Sequence, residues 1–412
     1  MEPQQPLSPL ERLMKRLGDG ASASLQREML MPENLNPRLT LSKILSYALA
    51  TSVFIGAFAL LAVGILSVLS GSPLLILVGV ALIGLAFLAR PQFTRIPSDG
   101  LDPTEAPRLF SAVTRIAQEV GTKPPDIIRL DASFNAWVHN AGWRRVRVLT
   151  IGVPLFATLD TQEQVAILGH EFAHFTNGDP RRSAIPGAAV ETLVRWHATL
   201  RPRSLMDVED ERLPGLIALP INIVMGVLSL FPYALAYLLL ALMSRESQRG
   251  EYIADAEGAR LAGTAAMRTA LDKLHLEPLV ARVAGATSDE HWANRNLWDE
   301  LRRHMARIPA EEFERMRADD RESSARLAVT HPPTASRLDV LASRTNEAPR
   351  MVLGPVDAEG IEAELRTHMQ RIQRDLIDDY SDGLLRGDTL AEEDMITVRH
   401  PRPNEPTNDW LM

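Results

Sequence analysis

Two long stretches without a charged residue, Ile44–Leu69 and Leu74–Ala89, constrain the fold of this 412-residue chain most strongly. A helix of about 20 apolar residues crosses a bilayer. Gly71, Ser72 and Pro73 lie between the stretches and favour a turn. A secretory signal peptide is a poor alternative, because more than forty residues precede the first stretch and no small-residue cleavage site follows it. The pattern predicts a permanent transmembrane helical hairpin.

The charges around the hairpin predict its orientation. Basic residues stand at its two outer ends and are absent from the connecting turn. Because loops rich in Lys and Arg stay on the cytoplasmic side of a membrane, both outer ends are expected in the cytoplasm. These residues are Arg27, Arg38 and Lys43 before the hairpin, and Arg90 and Arg95 after it.

Composition excludes several classes of function. The formal net charge is −8, and the basic residues cluster beside the apolar stretches, which argues against a general nucleic-acid binder. The chain has no cysteine, which excludes disulfides, thiol catalysis and cysteine-bound zinc. Histidine and carboxylate side chains remain as metal ligands.

A third apolar stretch, Leu216–Met243, contains Pro220 and Pro232 and has arginines on both sides. It is long enough for one crossing but too short for two spans of about 20 residues each. The flanking charges suggest that both ends lie in the cytoplasm. We therefore predict a bent or re-entrant helical pair, with a single transmembrane span as the alternative.

The pentapeptide at residues 170–174, His-Glu-Phe-Ala-His, is the strongest chemical signal. On a helix, His170 and His174 share one face on adjacent turns and can bind one Zn²⁺, while Glu171 lies near the open coordination position. Asp160 or Thr161 is expected to cap this helix, which is expected to stop near Asn177-Gly178. A buried structural histidine pair is the alternative interpretation.

Short strands are expected before this helix, at Ile127–Leu130, Phe134–Val138 and Val146–Ile151. Charged amphipathic helices are expected after it, between Ala265 and Arg326. A further helix is expected at Ala358–Tyr380, within a peripheral or disordered extension. The predicted fold is mainly α with a small β-sheet.

A catalytic zinc ion needs a third protein ligand, and Glu251 is the best candidate. It follows the third apolar stretch, and Asp255 lies one turn further on the same helical face. Glu251 would bind zinc, and Asp255 would orient a ligand histidine by accepting its other N–H. The alternative is a solvated helix face with local salt bridges.

Four motifs follow one another between residues 104 and 345. They are Asn135-Ala136; the 170–174 pentapeptide with Asn177-Gly178-Asp179; Glu251-Tyr252-Ile253-Ala254-Asp255; and Thr330-His331-Pro332-Pro333 with Arg337. Their order resembles that of the membrane gluzincin peptidases, which include HtpX-like and CAAX-prenyl endopeptidases. Trp137 departs from the pattern, because such proteins commonly have a smaller or different aromatic residue there.

This resemblance implies a zincin-like metallopeptidase core with one zinc ion per chain. Its ligands would be His170, His174 and Glu251, with Glu171 as the general base and Asp255 as a supporting carboxylate. His331 is the suggested partner of a developing oxyanion, although a histidine before two prolines equally well pins a loop. Asn135 would bind the backbone of a substrate on an edge strand, or is a turn asparagine. Arg337 would pair with a carboxylate of the site or form an ordinary surface ion pair, and the surface pair is the default expectation.

We therefore expect a mobile cytoplasmic lead-in (1–43), a transmembrane hairpin (44–90), a metallopeptidase domain (104–345) with a membrane-associated insertion (213–243), and a C-terminal extension (346–412). The predicted function is zinc-dependent hydrolysis of membrane-associated or misfolded polypeptides at the cytoplasmic face of the inner membrane. The expected partners are a polypeptide substrate and the lipid bilayer, and no nucleic acid. The alternative is a non-catalytic membrane scaffold stabilised by zinc.

Overall fold

The computed structural model describes residues 23–31, 39–88, 90, 95–177, 184–201, 215–287, 296–322 and 332–381. Helices dominate this part of the chain, and three short strands form one sheet, so the predicted fold class is confirmed. His331 and the tail after Ser381 lie outside the described residues.

The helices and strands follow one another in this order: α1 (23–29), α2 (Leu41–Leu69), α3 (Pro73–Leu88), α4 (Pro107–Val120), β1 (Ile127–Asp131), β2 (Ala136–Ala141), β3 (Val146–Gly152), α5 (Val153–Thr158), α6 (Thr161–Asn177), α7 (Ala184–Leu200), α8 (Gly215–Ala262), α9 (Thr264–Leu274), α10 (Glu277–Thr287), α11 (Leu297–Met305), α12 (Ala310–Glu322), α13 (Thr334–Ala342) and α14 (Pro355–Ser381).

Helices α2 and α3 form the predicted apolar hairpin, and glycine lets them approach closely. A Cβ atom added to Gly64 would lie 2.9 Å from the carbonyl oxygen of Gly79, and one added to Gly79 would lie 2.5 Å from that of Gly64. Apolar side chains such as Phe58, which is 70% exposed, point away from the protein. In water such a surface would be costly, whereas lipid covers it. Helix α2 and the Asn222–Ala262 part of α8 are long and apolar enough to cross a membrane, and α3 is apolar but shorter.

The third apolar stretch is one continuous helix, so the prediction of a bent or re-entrant pair within Leu216–Met243 is wrong. Pro232 stands inside α8 without ending it, because a proline removes only one backbone hydrogen bond and membrane helices tolerate that loss. The chain turns back through a second helix instead. Helix α7 packs along the first half of α8 and against α2, with His197 Nδ1 2.9 Å from the carbonyl oxygen of Ser229.

The sheet has the strand order β1-β3-β2, with β1 parallel and β2 antiparallel to β3. All three predicted strands are present, although the middle strand begins at Ala136 rather than at Phe134. Strand β2 pairs with β3 alone and is thus an edge of the described sheet. The start of β2 lies over the helix that carries the histidines, because Ala136 and Ile167 belong to one buried cluster.

The segment before the hairpin does not remain a free lead-in where the structure describes it. On α1, Leu25 and Met29 are buried against Tyr252, Ile253 and Val340. Helix α1 therefore joins α8 and α13, and the prediction of a mobile segment over residues 1–43 is wrong for this part. The cause is non-local, because the apolar partners lie more than 200 residues away along the chain.

The C-terminal helix α14 also packs in the core, whereas the sequence suggested a peripheral element. Its residues Ile361, Leu365 and Ile372 are buried in the cluster that contains much of α4 and α6. The indole N–H of Trp298 on α11 donates to the carbonyl oxygen of Met369 at 3.3 Å. The described part of the extension after residue 345 thus completes the core that supports α6.

Candidate metal centre

Helix α6 carries both histidines, and a capping box fixes where it begins. Asp160 Oδ1 accepts hydrogen bonds from the backbone N–H groups of Gln162 and Glu163, at 2.9 and 2.8 Å. Glu163 Oε2 accepts in return from the N–H of Asp160 at 2.7 Å. This reciprocal pattern satisfies N–H groups that a helix start leaves unpaired. Of the two predicted caps, the structure therefore selects Asp160.

A close crossing of α6 and α8 brings distant residues to the histidines. A Cβ atom added to Gly258 on α8 would lie 2.8 Å from the carbonyl oxygen of Ala166 on α6. One added to Gly169 would lie 2.8 Å from the side chain of Leu261. Since a backbone oxygen cannot move aside, Gly258 is required for the crossing, whereas a larger residue at Gly169 would need the Leu261 side chain to shift. Glu251 and Asp255 lie on the α8 segment that approaches His170.

His170, His174 and Glu251 converge into a group that could hold a metal ion. The Nε2 atoms of the two histidines are 3.2 Å apart. The carboxylate of Glu251 lies 3.5 Å from His170 Nε2 and 3.4 Å from His174 Nε2. A tetrahedral zinc ion with bonds of about 2.0–2.1 Å holds its ligand atoms about 3.3–3.4 Å apart. The histidine nitrogens lie near this separation, and Glu251 approaches His170 with Oε2 and His174 with Oε1, so the three side chains are close enough to hold one ion.

Asp255 orients the first histidine. Its Oδ1 lies 2.9 Å from His170 Nδ1, so this nitrogen carries the proton and Nε2 turns its lone pair toward Glu251 and His174. Burial lowers the pKa of His170, but the hydrogen bonds and charges of Asp255 and Glu251 outweigh burial and raise the pKa to about 9. Without a cation the site thus favours a proton where a metal would bind.

Arg337 pairs with a carboxylate of the site, which was the alternative to the default expectation from the sequence. It is buried, not at the surface, and donates to both carboxylate oxygens of Asp255, at 2.8 Å from Nε and 2.6 Å from Nη2. Its Nη2 also lies 3.6 Å from Glu251. Burial lowers the pKa of Arg337, yet the neighbouring carboxylates raise it above its usual value, so the group stays charged. The default expectation of a surface ion pair is wrong, because α13 packs against α8 and encloses the guanidinium.

Glu171 stands beside the three ligand candidates without joining them. Its Oε1 lies 3.8 Å from His170 Nε2, and its side chain is buried. A carboxylate at this position can exchange a proton with a molecule held next to the histidines. The arrangement therefore combines a metal-binding group with an adjacent base.

Of the remaining two predicted site residues, the structure describes Asn135 but not His331. Asn135 is exposed and immediately precedes edge strand β2. Its Oδ1 accepts from the N–H of Ala136 at 2.8 Å, and its backbone carbonyl accepts from the N–H of Gly152 at 2.8 Å. His331 lies outside the described residues, between α12 and α13.

A helix with the His-Glu-x-x-His pattern, a glutamate from a second helix and a small sheet above them define a zincin-like metallopeptidase. The chain belongs to Peptidase family M48, whose sequence model matches residues 103–345. The predicted resemblance to HtpX-like membrane peptidases is confirmed by this match and by the relatives below.

The similar proteins are bacterial proteins named Protease HtpX. The one from Acinetobacter baylyi is 29% identical over 192 residues, which cover 43% of this chain and 60% of the relative. The one from Pseudomonas putida is 31% identical over 175 residues, covering 41% and 56%. The one from Stutzerimonas stutzeri is 31% identical over 179 residues, covering 41% and 57%. The chain thus matches between 56% and 60% of the length of these relatives. No solved structure matches the chain.

Proposed function

We propose that this chain is a zinc-dependent integral-membrane endopeptidase. One observation carries the proposal: the Nε2 atoms of His170 and His174 and the carboxylate of Glu251 converge within 3.5 Å of one another, next to the buried carboxylate of Glu171. A structural zinc site is usually closed by four protein ligands and has no use for such a base. This argues against the alternative of a zinc-stabilised scaffold.

The donor set and the charge of the site favour one Zn²⁺ ion per chain. Two imidazole nitrogens and a carboxylate oxygen are donors that zinc accepts. Glu171, Glu251 and Asp255 bring three negative charges into a buried site, and Arg337 brings one positive charge. A divalent cation would neutralise the remaining two. Because uncompensated buried charge is costly, the site is built for a dication.

Each protein group then has a role in peptide-bond hydrolysis. When bound, zinc supplies Lewis-acid chemistry that lowers the pKa of water and polarises a carbonyl group. Glu171 takes the proton from the attacking water and delivers it to the leaving amine. Asp255 and Arg337 hold His170 in the tautomer that leaves Nε2 free to bind. We keep His331 as the proposed hydrogen-bond donor to the developing oxyanion and Asn135 as the proposed contact to the substrate backbone.

The proposed substrates are membrane-associated or misfolded polypeptides at the cytoplasmic face of the inner membrane. The name of the relatives, Protease HtpX, supports a protease. Lys43 and Arg90 lie at the two outer ends of the hairpin, and this charge pattern favours the cytoplasm for the domain that follows. Helix α7 packs along α8 with His197 next to Ser229, so the chain leads away from His174 along α7 and comes back to Glu251 along α8.

The decisive experiment compares wild type with Glu171→Gln on casein as an unstructured substrate, using the full chain in detergent. We expect the variant to lose at least about 100-fold in turnover, since general acid–base catalysis contributes about 10²–10⁴. Zinc content measured on the same samples should be unchanged. Glu311→Gln, at an exposed position on α12, is the matched control and should retain full activity. A zinc-loaded wild type without activity, or equal activity in wild type and Glu171→Gln, would favour the scaffold.

Orientation can be tested separately because the chain has no native cysteine. A single cysteine in place of Glu359, exposed on α14, would be treated with a membrane-impermeant maleimide. We expect labelling in inverted inner-membrane vesicles and protection in spheroplasts. The opposite pattern would reject the cytoplasmic assignment.

A further inference from the structure

The turn between β2 and β3 carries an unusual exposed surface, here called the hairpin tip (residues 142–145). Trp143 is 72% exposed, and the guanidinium of Arg144 lies 5.1 Å from the centre of its ring system. Arg144 and Arg145 are both exposed, and neither pairs with a carboxylate among the described residues. A large aromatic side chain left in water next to two unpaired cations suggests a surface that another phase or molecule covers.

The hairpin tip lies near the end of the second membrane helix. The side chain of Ile96 packs on Gly142, because a Cβ atom there would lie 3.0 Å from it. Ile96 is 48% exposed and follows the end of α3 at Leu88 by eight residues. Eight residues reach at most about 27 Å, so Ile96, with the hairpin tip packed on it, lies within that distance of the end of α3.

A second contact joins strand β3, next to the hairpin tip, to the C-terminal end of α6. The guanidinium of Arg147 on β3 lies 4.9 Å from the centre of the Phe175 ring. Phe175 stands in the last turn of α6, directly before the chain continues to α7, and α7 packs against α2 and α8. The β2–β3 hairpin therefore contacts two segments that connect to other helices: Ile96, which follows α3, and Phe175, which precedes α7.

We propose that the hairpin tip docks into the interfacial region of an anionic lipid bilayer. Trp143 would sit at the level of the headgroups, where tryptophan is enriched in membrane proteins. Arg144 and Arg145 would bind lipid phosphates, which attract exposed basic residues near the surface. The proposal rests on the membrane placement given above and does not depend on catalysis. Since β2 is an edge strand of the same hairpin, this contact fixes how that edge is presented over the bilayer.

The test uses the full chain in vesicles of phosphatidylcholine and phosphatidylglycerol, with and without brominated acyl chains that quench nearby tryptophan. The difference between wild type and Trp143→Phe isolates the emission of Trp143. We expect brominated lipid to quench this emission about twofold or more, and to quench it less in the double variant Arg144→Gln/Arg145→Gln. As a control, the emission of the buried Trp298, obtained as the difference between wild type and Trp298→Phe, should not be quenched by brominated lipid. The emission that Phe58→Trp adds on the exposed face of α2 should be quenched.

The two controls separate failure of this proposal from failure of membrane placement. Quenching at Phe58→Trp without quenching of Trp143 would overturn the lipid contact and leave the spanning helices intact. No quenching at either position would overturn both. In a third outcome, brominated lipid leaves the emission of Trp143 unchanged, but casein added to the Glu171→Gln protein changes it. This result would assign the hairpin tip to polypeptide binding and would overturn the lipid contact.

Discussion

Replacing Arg337 with methionine tests whether its guanidinium compensates the buried carboxylates of the metal centre. The change keeps a long side chain but removes two hydrogen bonds to Asp255, at 2.6 and 2.8 Å, and a positive charge 3.6 Å from Glu251. Removing one partner of a buried ion pair costs about 3–5 kcal/mol, because the other charge stays buried. For a domain of this size that corresponds to a loss of about 6–20 °C in the unfolding midpoint.

The magnitude should depend on zinc, and this dependence distinguishes charge compensation from simple packing. Without Arg337, a bound dication would reduce the uncompensated charge of the three carboxylates from three to one, so we expect the full loss in chelator and a smaller loss in zinc. Thermal unfolding of the purified chain under both conditions measures the two values. Arg321→Met is the control, since Arg321 pairs with Asp339 at the surface at 3.0 Å and should contribute only about 0–1 kcal/mol. Equal midpoints for the two variants, or an identical loss with and without zinc, would refute the reasoning.

Three further predictions follow from the same contacts. Glu251→Gln removes a proposed ligand and should weaken zinc binding by at least about 10-fold. Asp255→Asn only disturbs the orientation of His170 and should have the milder effect of the two, within about 10- to 100-fold. Competition with a chelator measures both affinities. The pKa of His170 is raised from an ordinary 6.5 to about 9, so its protonated form stabilises the metal-free fold fully below pH 6.5, and this contribution is lost as pH rises through 9. Zinc competes with that proton. Zinc affinity should therefore rise about tenfold per pH unit up to about pH 9. Leu25→Ala should cost about 2–5 kcal/mol in unfolding free energy measured in denaturant, because this fully buried side chain joins α1 to α8 and α13.

Clear outcomes would contradict each of these three. Unchanged zinc content in Glu251→Gln would remove this residue as a ligand. A zinc affinity that does not vary between pH 6 and pH 8 would contradict the raised pKa of His170. A Leu25→Ala variant as stable as wild type would mean that α1 does not hold its place on α8.

Local patterns were sufficient for much of the molecule. The length and apolar composition of Ile44–Leu69 predict a helix that can cross a membrane, and the four-residue spacing of His170 and His174 puts both on one helical face. Short β-rich runs between turn residues indicated the three strands of the sheet. In each case neighbouring residues along the chain provide the physical cause, so the sequence itself carries the information.

Tertiary packing decided the rest. The sequence left Arg337 between a carboxylate of the site and a default surface pair, because nothing near it in the chain shows that α13 packs on α8 and buries its charge against Asp255. Leu25 had no local sign of a partner, and its contacts lie on residues far along the chain. The sequence pattern predicted that the chain reverses direction within Leu216–Met243. In the structure α8 is unbroken there, and the reversal lies between α7 and α8. Charge burial and helix packing are free-energy terms between distant segments, and only the folded chain brings these segments into contact.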